Sequence, residues 1–442
     1  MKAKLLKRPS LMDLKKSQCS MKLNAFKLVD VASVDVSGVD KKSHKGETQV
    51  RLCNYVDVYY NWAITKDMYD GFMKATAKDD EIKEFTVRKG YLAITKDSET
   101  RDDIGIPAYF ADDFDQTVVL GYHTALIKPN PKKVDPRFLN ALLHSDYIKE
   151  YWFNNATGSG QRYTLSPESI ENAPVFLPEL PIQKKIGSYL AAIDRKICLN
   201  KAENTLLINQ GKELFNYWFA QFDFPNNEGK PYRASGGMME HNDILKRDIP
   251  ANWEVKALSS FTSNDLEVIN PSESPQTIFK HLSIPEYDKS GFYAEESGKE
   301  IKSSKYIVTS RDIIVSKLNP WVSRVIWGFD EDNLICSSEF VALSPEDKAL
   351  KGFVFFVAKS DPFTEYCTKG STGTSHSHRR INPDLMRMFE IPFNKEVAKQ
   401  FSSIVEPYLE RITGNLLQNK KLESYRDYIL PLLMNGQATI AD

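Results

Sequence analysis

Cysteine is scarce in this sequence, and the few cysteines form no recognisable site. The chain has 442 residues and five cysteines, and no two of these have the C-x-x-C spacing of zinc or redox sites. An odd number of scattered thiols argues against a disulfide-stapled scaffold and is typical of proteins in a reducing cytoplasm. The sequence therefore predicts a cytoplasmic protein without a zinc framework.

A strong charge of one sign and long apolar runs are missing as well. Lys and Arg number 58 and Asp and Glu number 59, which gives a formal net charge of −1. This balance argues against a protein that coats nucleic acid by bulk charge, although it leaves room for local basic surfaces. No apolar run reaches the roughly 18 residues that a membrane span needs, so no membrane contact is predicted.

The motifs of common catalytic sites are also absent. The sequence contains no GxxxxGK[ST], GxGxxG, HExxH or GxSxG. A DNA-adenine methyltransferase needs a loop that receives the flipped base, and the nearest match, Asn319-Pro-Trp321, has one proline where two are expected. His376 and His378 have no third metal ligand nearby in the sequence. We therefore predict no catalytic residue, no metal and no cofactor in this chain.

One short pattern keeps an enzymatic alternative open. Asp70, followed by Glu81-Ile82-Lys83, loosely fits the core of a metal-dependent nuclease. The pattern consists of common residues and arises easily by chance. A stand-alone DNA nuclease that uses Asp70, Glu81 and Lys83 is the alternative on the enzyme side.

Two long stretches carry seam residues at coiled-coil spacing. Alternating steps of four and three residues give a 3.5-residue repeat, which places these side chains along one seam of a helix. The first seam consists of Ile186, Leu190, Ile193, Ile197, Asn200, Asn204, Leu207, Gly211, Leu214 and Trp218. The second repeats the steps at a constant offset of 215 and consists of Phe401, Val405, Tyr408, Ile412, Asn415, Asn419, Leu422, Arg426, Ile429 and Leu433. The pattern predicts two related long helices.

Each seam carries two asparagines near its middle, Asn200 and Asn204 in the first and Asn415 and Asn419 in the second. An asparagine at a seam position is satisfied only opposite another polar group, so it selects register and partner. We therefore expect the two helices to pair with each other, and an antiparallel pairing would let the asparagines near each middle meet. Pro407 lies inside the second helix and predicts a kink or a restart there. A coiled-coil scaffold that binds only proteins is the non-enzymatic alternative.

The segments before the two helices resemble each other. In both, a turn leads into a buried strand that ends in a lysine, at residues 87–96 and 308–317. A strand, a helix, a Thr-Gly turn, a proline turn and a last strand follow in the same order. We interpret this as a tandem duplication and predict an α/β (α+β) fold with two similar domains and two long helices.

The predicted order is a basic N-terminal arm (1–23), a first domain (24–178), a central helix (179–224), a Gly-, Pro- and Asn-rich linker (225–247), a second domain (248–392) and a C-terminal helix (393–436). The arm is interpreted as a disordered tail or as a segment that binds phosphates.

Residues suited to nucleic-acid contact follow each Thr-Gly turn and each strand-ending lysine. Arg and Gln fit guanine and adenine edges in the major groove, and His or Ser can contact bases or phosphates. The candidate DNA-binding residues are Lys96, Arg101, Gln161, Arg162 and Tyr163 in the first domain, and Lys317, Asn319, Arg324, His376, His378, Arg379 and Arg380 in the second.

Several motifs carry a family resemblance. They are Leu-Pro-Glu-Leu-Pro-Ile-Gln-Lys-Lys-Ile at 177–186 with Asp-Arg-Lys-Ile at 194–197, Glu-Leu-Phe-Asn-Tyr-Trp-Phe at 213–219, the segment 226–237 leading to Ile-Pro-Ala-Asn-Trp-Glu-Val at 249–255, and Tyr-Ile-Leu-Pro-Leu-Leu at 428–433. With these motifs the chain resembles the specificity subunits of type I restriction-modification systems over nearly its whole length. The second helix departs from the pattern because it lacks the Pro-x-x-Gln-Lys opening of the first.

The resemblance implies two target recognition domains that each read one half of a split double-stranded DNA sequence. It implies that the two helices pack as an antiparallel coiled coil, set the spacing and dock two modification (methyltransferase) subunits. Restriction (translocase-nuclease) subunits can join that complex. Binding of S-adenosylmethionine, ATP and Mg²⁺, and catalysis, are expected on those partners. The expected function is a non-catalytic DNA-specificity subunit.

Overall fold

The computed structural model describes residues 21–160, 162–373 and 378–440, so most of the predicted basic arm lies outside the described residues. The chain divides into two compact units, Met1–Cys198 with Asn419–Asp442 (unit 1) and Leu199–Gln418 (unit 2). Within the described ranges, no helix has both the length and the apolar character needed to cross a membrane.

The helices alternate with short strands along the chain. The helices of the described residues are α1 (Leu28–Val31), α2 (Tyr55–Tyr59), α3 (Asp79–Phe85), α4 (Pro136–Leu143), α5 (Asp146–Asn155), α6 (Pro167–Glu171), α7 (Leu180–Phe215), α8 (Ile284–Ser290), α9 (Lys351–Lys359), α10 (Asp361–Lys369), α11 (Pro383–Arg387) and α12 (Lys395–Met434).

Unit 1 contains strands β1 to β13. Their bounds are β1 (Asn24–Lys27), β2 (Ala32–Val36), β3 (Thr48–Cys53), β4 (Ala63–Ile64), β5 (Met73–Ala77), β6 (Leu92–Thr95), β7 (Asp97–Ser98), β8 (Pro107–Phe110), β9 (Val118–Leu120), β10 (Thr124–Pro129), β11 (Thr157–Ser159), β12 (Arg162–Thr164) and β13 (Pro174–Leu177). The sheets have the orders β2-β10-β6-β8-β4, β5-β3-β9, β11-β12-β7 and β1-β13.

Unit 2 contains strands β14 to β27. Their bounds are β14 (Met239–Asn242), β15 (Arg247–Pro250), β16 (Glu254–Ala257), β17 (Thr262–Ser263), β18 (Val268–Ile269), β19 (Ile278–Leu282), β20 (Ala294–Ser297), β21 (Lys305–Ile307), β22 (Ile313–Ser316), β23 (Val325–Trp327), β24 (Leu334–Cys336), β25 (Phe340–Ala342), β26 (Ser344–Pro345) and β27 (Glu390–Phe393). The sheets have the orders β18-β21-β24-β19-β20, β23-β22-β25, β14-β15, β16-β27 and β17-β26.

The two units repeat the same strand pairings. In unit 1, β3 pairs antiparallel with β5 and parallel with β9; in unit 2, β19 pairs antiparallel with β20 and parallel with β24. Strand β6 lies between antiparallel neighbours β8 and β10, as β22 lies between β23 and β25. The predicted fold class, a duplicated α/β domain with two long helices, is confirmed.

The predicted proline turns are the starts of short helices in both units. The Ser166 side chain accepts from the Ser169 N–H at the start of α6, and the Asn382 side chain accepts from two N–H groups at the start of α11. Each cap is followed by proline at the first helical position, where no N–H is needed. Local sequence chemistry therefore fixes where both helices begin.

Each long helix holds the start of a domain helix at a matching position. Gly187 on α7 lies where an added Cβ would be 2.8 Å from the Phe138 N of α4, so only glycine permits this approach. On α12, the Ser402 hydroxyl accepts from the Phe353 N–H of α9 at 2.9 Å. Gly187 and Ser402 are 215 residues apart (402 − 187), the offset that relates the two seams.

Gln183 explains the Pro-x-x-Gln motif at the start of α7. Its side chain is 1% exposed, accepts from the Asp135 N–H at 3.0 Å and donates to the Pro178 carbonyl at 2.8 Å. A buried amide that satisfies backbone groups on both sides fixes the chain as it leaves the first domain.

Most seam residues are buried, and the others are half-buried. In unit 1, Ile186 and Leu190 of α7 join a core with Ile429 and Leu433 of α12. In unit 2, Trp218 joins a core with Phe401 and the domain's own aromatic residues.

The helices run antiparallel within unit 2. Asn200 Nδ2 donates to Gln418 Oε1 at 2.9 Å, and Asn415 Nδ2 donates to Asn204 Oδ1 at 2.8 Å. Arg411 makes two contacts to Glu203, at 3.0 and 3.1 Å. Residues further along α7 therefore contact residues earlier in α12, which is the pattern of an antiparallel pair. Asn419, the fourth seam asparagine, is buried in unit 1.

The expected restart at Pro407 is wrong, because α12 is helical without interruption from Lys395 to Met434. Proline frees the carbonyl four residues earlier, which belongs here to Ser403. Both Pro407 and Ser403 are exposed, so water can satisfy this carbonyl. Seam position Arg426 is also satisfied within its unit, since its guanidinium stacks 4.5 Å from the ring centre of Trp62.

Candidate nucleic-acid interface

The first candidate surface lies where β6 ends in unit 1. The four residues Leu92–Thr95 are all buried, so the polar residues that follow are the first to reach the surface. The Lys96 N–H donates to the His123 carbonyl at 2.9 Å, and the Lys96 carbonyl accepts from the Leu165 N–H at 2.8 Å. These bonds join the end of β6 to the turn before β10 and to the segment after β12.

An open depression of about 470 Å³ lies at this junction. It is lined by Ser37, Gly38, Lys96, Asp97, Tyr122, His123, Arg162 and Thr164. Asp97 Oδ2 is 3.1 Å from Lys96 Nζ and 4.0 Å from Arg162 Nη2. The same carboxylate oxygen is hydrogen-bonded to His123 Nδ1. Three basic side chains therefore surround one carboxylate.

Asp97 is ionised at neutral pH. Burial raises the pKa of its carboxyl, but hydrogen bonds from Thr164, His123 and Lys96 outweigh burial and hold the pKa below its usual value. The carboxylate therefore anchors its basic neighbours in place.

The basic surface extends outward through two arginines. The Arg162 side chain is 66% exposed, and its Nη2 lies 3.0 Å from His123 Nδ1. The Arg101 guanidinium lies 5.0 Å from the centre of the Tyr163 ring, a cation–π contact. His123 has a φ of +71°, a region that residues other than glycine occupy mostly in turns and at functional sites.

Unit 2 builds a second surface with the same backbone connections. The Lys317 N–H donates to the Glu339 carbonyl at 2.9 Å, and the Lys317 carbonyl accepts from the Ile381 N–H at 3.1 Å. Asn319, with a φ of +49°, donates its N–H to the Arg379 carbonyl at 2.8 Å. The Arg379 N–H returns a bond to Asn319 Oδ1 at 3.1 Å. The strand-ending lysine and the basic segment after the Thr-Gly turn are thereby neighbours.

The three candidate arginines of unit 2 have different environments. Arg380 Nε and Nη2 donate to the two carboxylate oxygens of Glu339 at 2.9 and 3.1 Å, and the Arg380 side chain is 45% exposed. Arg379 is half-buried and donates to the Ser371 carbonyl. Arg324 is 8% exposed and forms two bonds to Asp288. Arg380 therefore offers the most accessible guanidinium of the three.

The two Thr-Gly pairs bring these basic residues into place, although Thr157 and Gly158 lie in strand β11 and not in the predicted turn. A Cβ on Gly158, whose φ is +131°, would lie 2.2 Å from the Arg162 carbonyl oxygen. A Cβ on Gly373 would lie 2.9 Å from the Arg379 Cα. Glycine lets the following segment fold back closely, so it lies beside the strand-ending lysine in both units.

Two of the predicted residues, Gln161 and His376, lie outside the described residues. His378 is exposed, and Lys317 is half-buried. The sequence-based prediction missed Asp97, His123 and Glu339. Their positions beside matched strands were available, but their contacts depend on pairing between distant segments.

The nuclease alternative gains no support. Asp70 is exposed in the turn Lys66–Gly71, and the Glu81 side chain accepts from the Lys78 N–H at the start of α3, which is a capping role. Within the described ranges, no group of three His, Cys, Asp or Glu residues lies close enough to hold a metal ion.

Comparisons with known proteins agree on one family. Residues 24–209 match the family model described as Type I restriction modification DNA specificity domain. The type I restriction enzyme HindI specificity subunit of Haemophilus influenzae is 23% identical over 402 residues, covering 77% of this chain and 85% of that protein. The MjaIX specificity subunit of Methanocaldococcus jannaschii is 24% identical over 353 residues, covering 73% of this chain and 76% of that protein.

A solved structure shares the fold. The crystal structure of the type I restriction-modification system S subunit from M. genitalium superposes with a TM-score of 0.55 at 11% identity, covering 94% of this chain and 96% of that chain.

Proposed function

We propose that this chain, which is similar to type I restriction-modification specificity subunits, is itself such a subunit and that its two α/β units each read one half of a split DNA target. The two candidate surfaces present Lys96, Arg101 and Arg162 in unit 1 and Lys317, Asn319 and Arg380 in unit 2. Arg can read guanine edges, and Lys can neutralise phosphates.

One observation carries this proposal. Each unit joins a strand-ending lysine to the basic segment after a Thr-Gly turn through the same two backbone hydrogen bonds, at Lys96 and at Lys317. The side chains displayed there differ between the units. A shared framework with different surface residues suits two domains that read different base sequences.

Similarity to specificity subunits and the low net charge of the chain both support methyltransferase subunits as partners. With a net charge of −1, the chain needs further cations to hold DNA, and methyltransferase subunits can supply those phosphate contacts. We expect two methyltransferase subunits per copy, docked on the long helices, with restriction subunits joining that complex in the cytoplasm. S-adenosylmethionine, ATP and Mg²⁺ belong to those partners, and this chain recognises DNA without catalysing a reaction.

The complex of this chain with its methyltransferase subunits tests the proposal. Methylation mapping in the host is expected to show one split motif that disappears when this gene is deleted. Native mass measurement is expected to show one copy of this chain with two methyltransferase subunits. Absence of salt-sensitive DNA affinity, with or without the methyltransferase subunits, would instead favour the protein-binding scaffold. Metal-dependent cleavage by the chain alone would favour the nuclease.

A further inference from the structure

Glu339 is the feature of the second surface that the proposed function leaves unexplained. A carboxylate on a DNA-facing surface repels phosphate, yet Glu339, in the turn before β25, contacts the basic segment through Arg380 and is 27% exposed. Its two oxygens accept from Nε and Nη2 of Arg380. The charge repulsion needs a compensating benefit if this surface contacts DNA.

We propose that Glu339 is a positioning residue that fixes the Arg380 guanidinium so that its free edge reads a guanine in the half-site of unit 2. This inference rests on the proposed function and adds the base class that one named residue recognises.

The backbone on which Arg380 sits is fixed on both sides. The Arg380 N–H donates to the Thr372 carbonyl at 2.8 Å, and the Thr372 N–H donates to the Arg380 carbonyl at 2.9 Å. On the other side Arg380 is bridged to Leu318. The backbone of Arg380 is therefore held between two neighbouring segments. Only the rotation of its side chain remains to be fixed.

Glu339 removes that freedom. A guanidinium has five N–H donors in one plane, and the bonds to Glu339 use two of them on the Nε side. Of the remaining three N–H groups, one on Nη1 and one on Nη2 form the terminal edge of the guanidinium, which can make two parallel bonds to guanine O6 and N7, the common specific contact. Fixing the side chain before DNA arrives lowers the ordering cost of binding.

Unit 1 shows the same arrangement with different residues. The residue whose carbonyl pairs with the strand-ending lysine is Glu339 in unit 2 and His123 in unit 1. Arg162 Nη2 lies 3.0 Å from His123 Nδ1. Both units thus place an arginine from the segment after the Thr-Gly turn against the side chain at this position.

The test uses the complex of the full chain with its methyltransferase subunits and duplexes that carry the mapped target. Each guanine of the unit 2 half-site is replaced in turn, and affinity is measured over a range of salt concentrations. The variants are Arg380→Ala, Glu339→Gln, both together, and Glu254→Gln. Glu254 pairs with Lys256 at 2.8 Å on β16 and gives the same charge change elsewhere in unit 2.

We expect Arg380→Ala to abolish discrimination at one guanine position. Glu339→Gln should weaken discrimination at that same position by less than the roughly 5- to 150-fold that the whole arginine–guanine contact contributes and have no further effect in the Arg380→Ala background. Glu254→Gln should leave base discrimination unchanged. Unaltered reading of the unit 1 half-site in the same complex shows that each variant is folded.

Two results would overturn the inference. If Glu339→Gln raises affinity equally for every sequence and steepens the salt dependence, Glu339 only neutralises Arg380. If no guanine of the half-site responds to Arg380→Ala, the assigned base contact is wrong. Both results differ from failure of the proposed function, in which the wild-type complex itself shows no sequence-specific binding.

Discussion

Gly211 of α7 occupies a seam position that leaves no room for a side chain. A Cβ there would lie 2.1 Å from Cζ of Phe356, a ring that is 1% exposed. Gly211→Ala should therefore lower the free energy of unfolding by about 1–3 kcal/mol, because the ring must shift in a packed core.

Gly414 of α12 provides the matched control. No atom lies within 4 Å of a Cβ added there. Alanine in a helix interior is more stable than glycine by about 0.5–1 kcal/mol, because glycine loses more backbone entropy on folding. Gly414→Ala should stabilise the protein. Thermal and urea unfolding of the two variants measure the change in stability. If Gly211→Ala is as stable as Gly414→Ala, the close packing of Gly211 against Phe356 is contradicted.

Asp97 should make the stability of unit 1 depend on acid pH. Its pKa is lower in the folded chain than in the unfolded chain, so its contribution is present above the unfolded pKa and is lost as pH falls through the folded pKa. Asp97→Asn should cost about 1–3 kcal/mol at pH 7.

Unfolding measured at pH 7 and near pH 3 should show this cost shrinking in acid. Asp70→Asn, an exposed carboxylate in the same unit, should change stability by less than about 0.5 kcal/mol at both values. A cost of Asp97→Asn that grows on acidification would refute the proposed ionisation.

At the scale of residues, the sequence predicted the basic side chains of the candidate surfaces better than it predicted the side chains that hold them in place. Lys96 and Arg162 were identified because each follows a recognisable local signal, a buried strand or a Thr-Gly turn. Asp97, His123 and Glu339 were missed because their importance comes from bonds to segments at least 26 positions away. Such contacts require knowledge of strand pairing.

Among the elements, the two long helices have a polar contact that sets their register in unit 2. Asn415 donates to both Asn204 and Glu203 at 2.8 Å. Asn415→Ala should therefore cost more than Asn204→Ala, and the pair should show a coupling energy of about 0.5–1.5 kcal/mol.

A double-mutant cycle in unfolding experiments measures this coupling. Asn209, an exposed residue further along α7, serves as the control partner, and Asn209→Ala should add to Asn415→Ala without coupling. Equal coupling in the two cycles would mean that the asparagine contact does not exist in solution.

The helices also show what periodicity can and cannot predict. The 3.5-residue repeat identified the seams because packing against a core requires it. It did not show how polar seam positions would be satisfied. Arg426 is a charged residue at a seam position, and its guanidinium lies over the ring of Trp62, which itself stacks on His144 at 4.0 Å. Pro407 looked disruptive, yet its exposed face tolerates the lost bond.

For the whole molecule, the helices are expected to set the gap between the half-sites. Removing one heptad from each, Asn200 to Leu206 and Asn415 to Lys421, keeps both seams in phase and shortens each helix by roughly 10 Å. This corresponds to about three base pairs. DNA twist opposes the full change, since three pairs also rotate a half-site by about 100°.

Methylation mapping of this variant should show a gap shorter by one to three base pairs, or weak modification. The bases within each half-site should stay the same, because no recognition segment is altered. An unchanged gap at full activity would show that the helices do not determine the distance.

The most direct test of the central claim is replacement of residues 248–392 with the corresponding segment of a type I restriction specificity subunit of known target, followed by methylation mapping of the complex. Independent reading by two units predicts that one half-site takes the sequence of the donor, while the other half-site stays as in the parent protein. Simultaneous change of both half-sites, or no change in either, would contradict the claim that each unit reads its own half of the target.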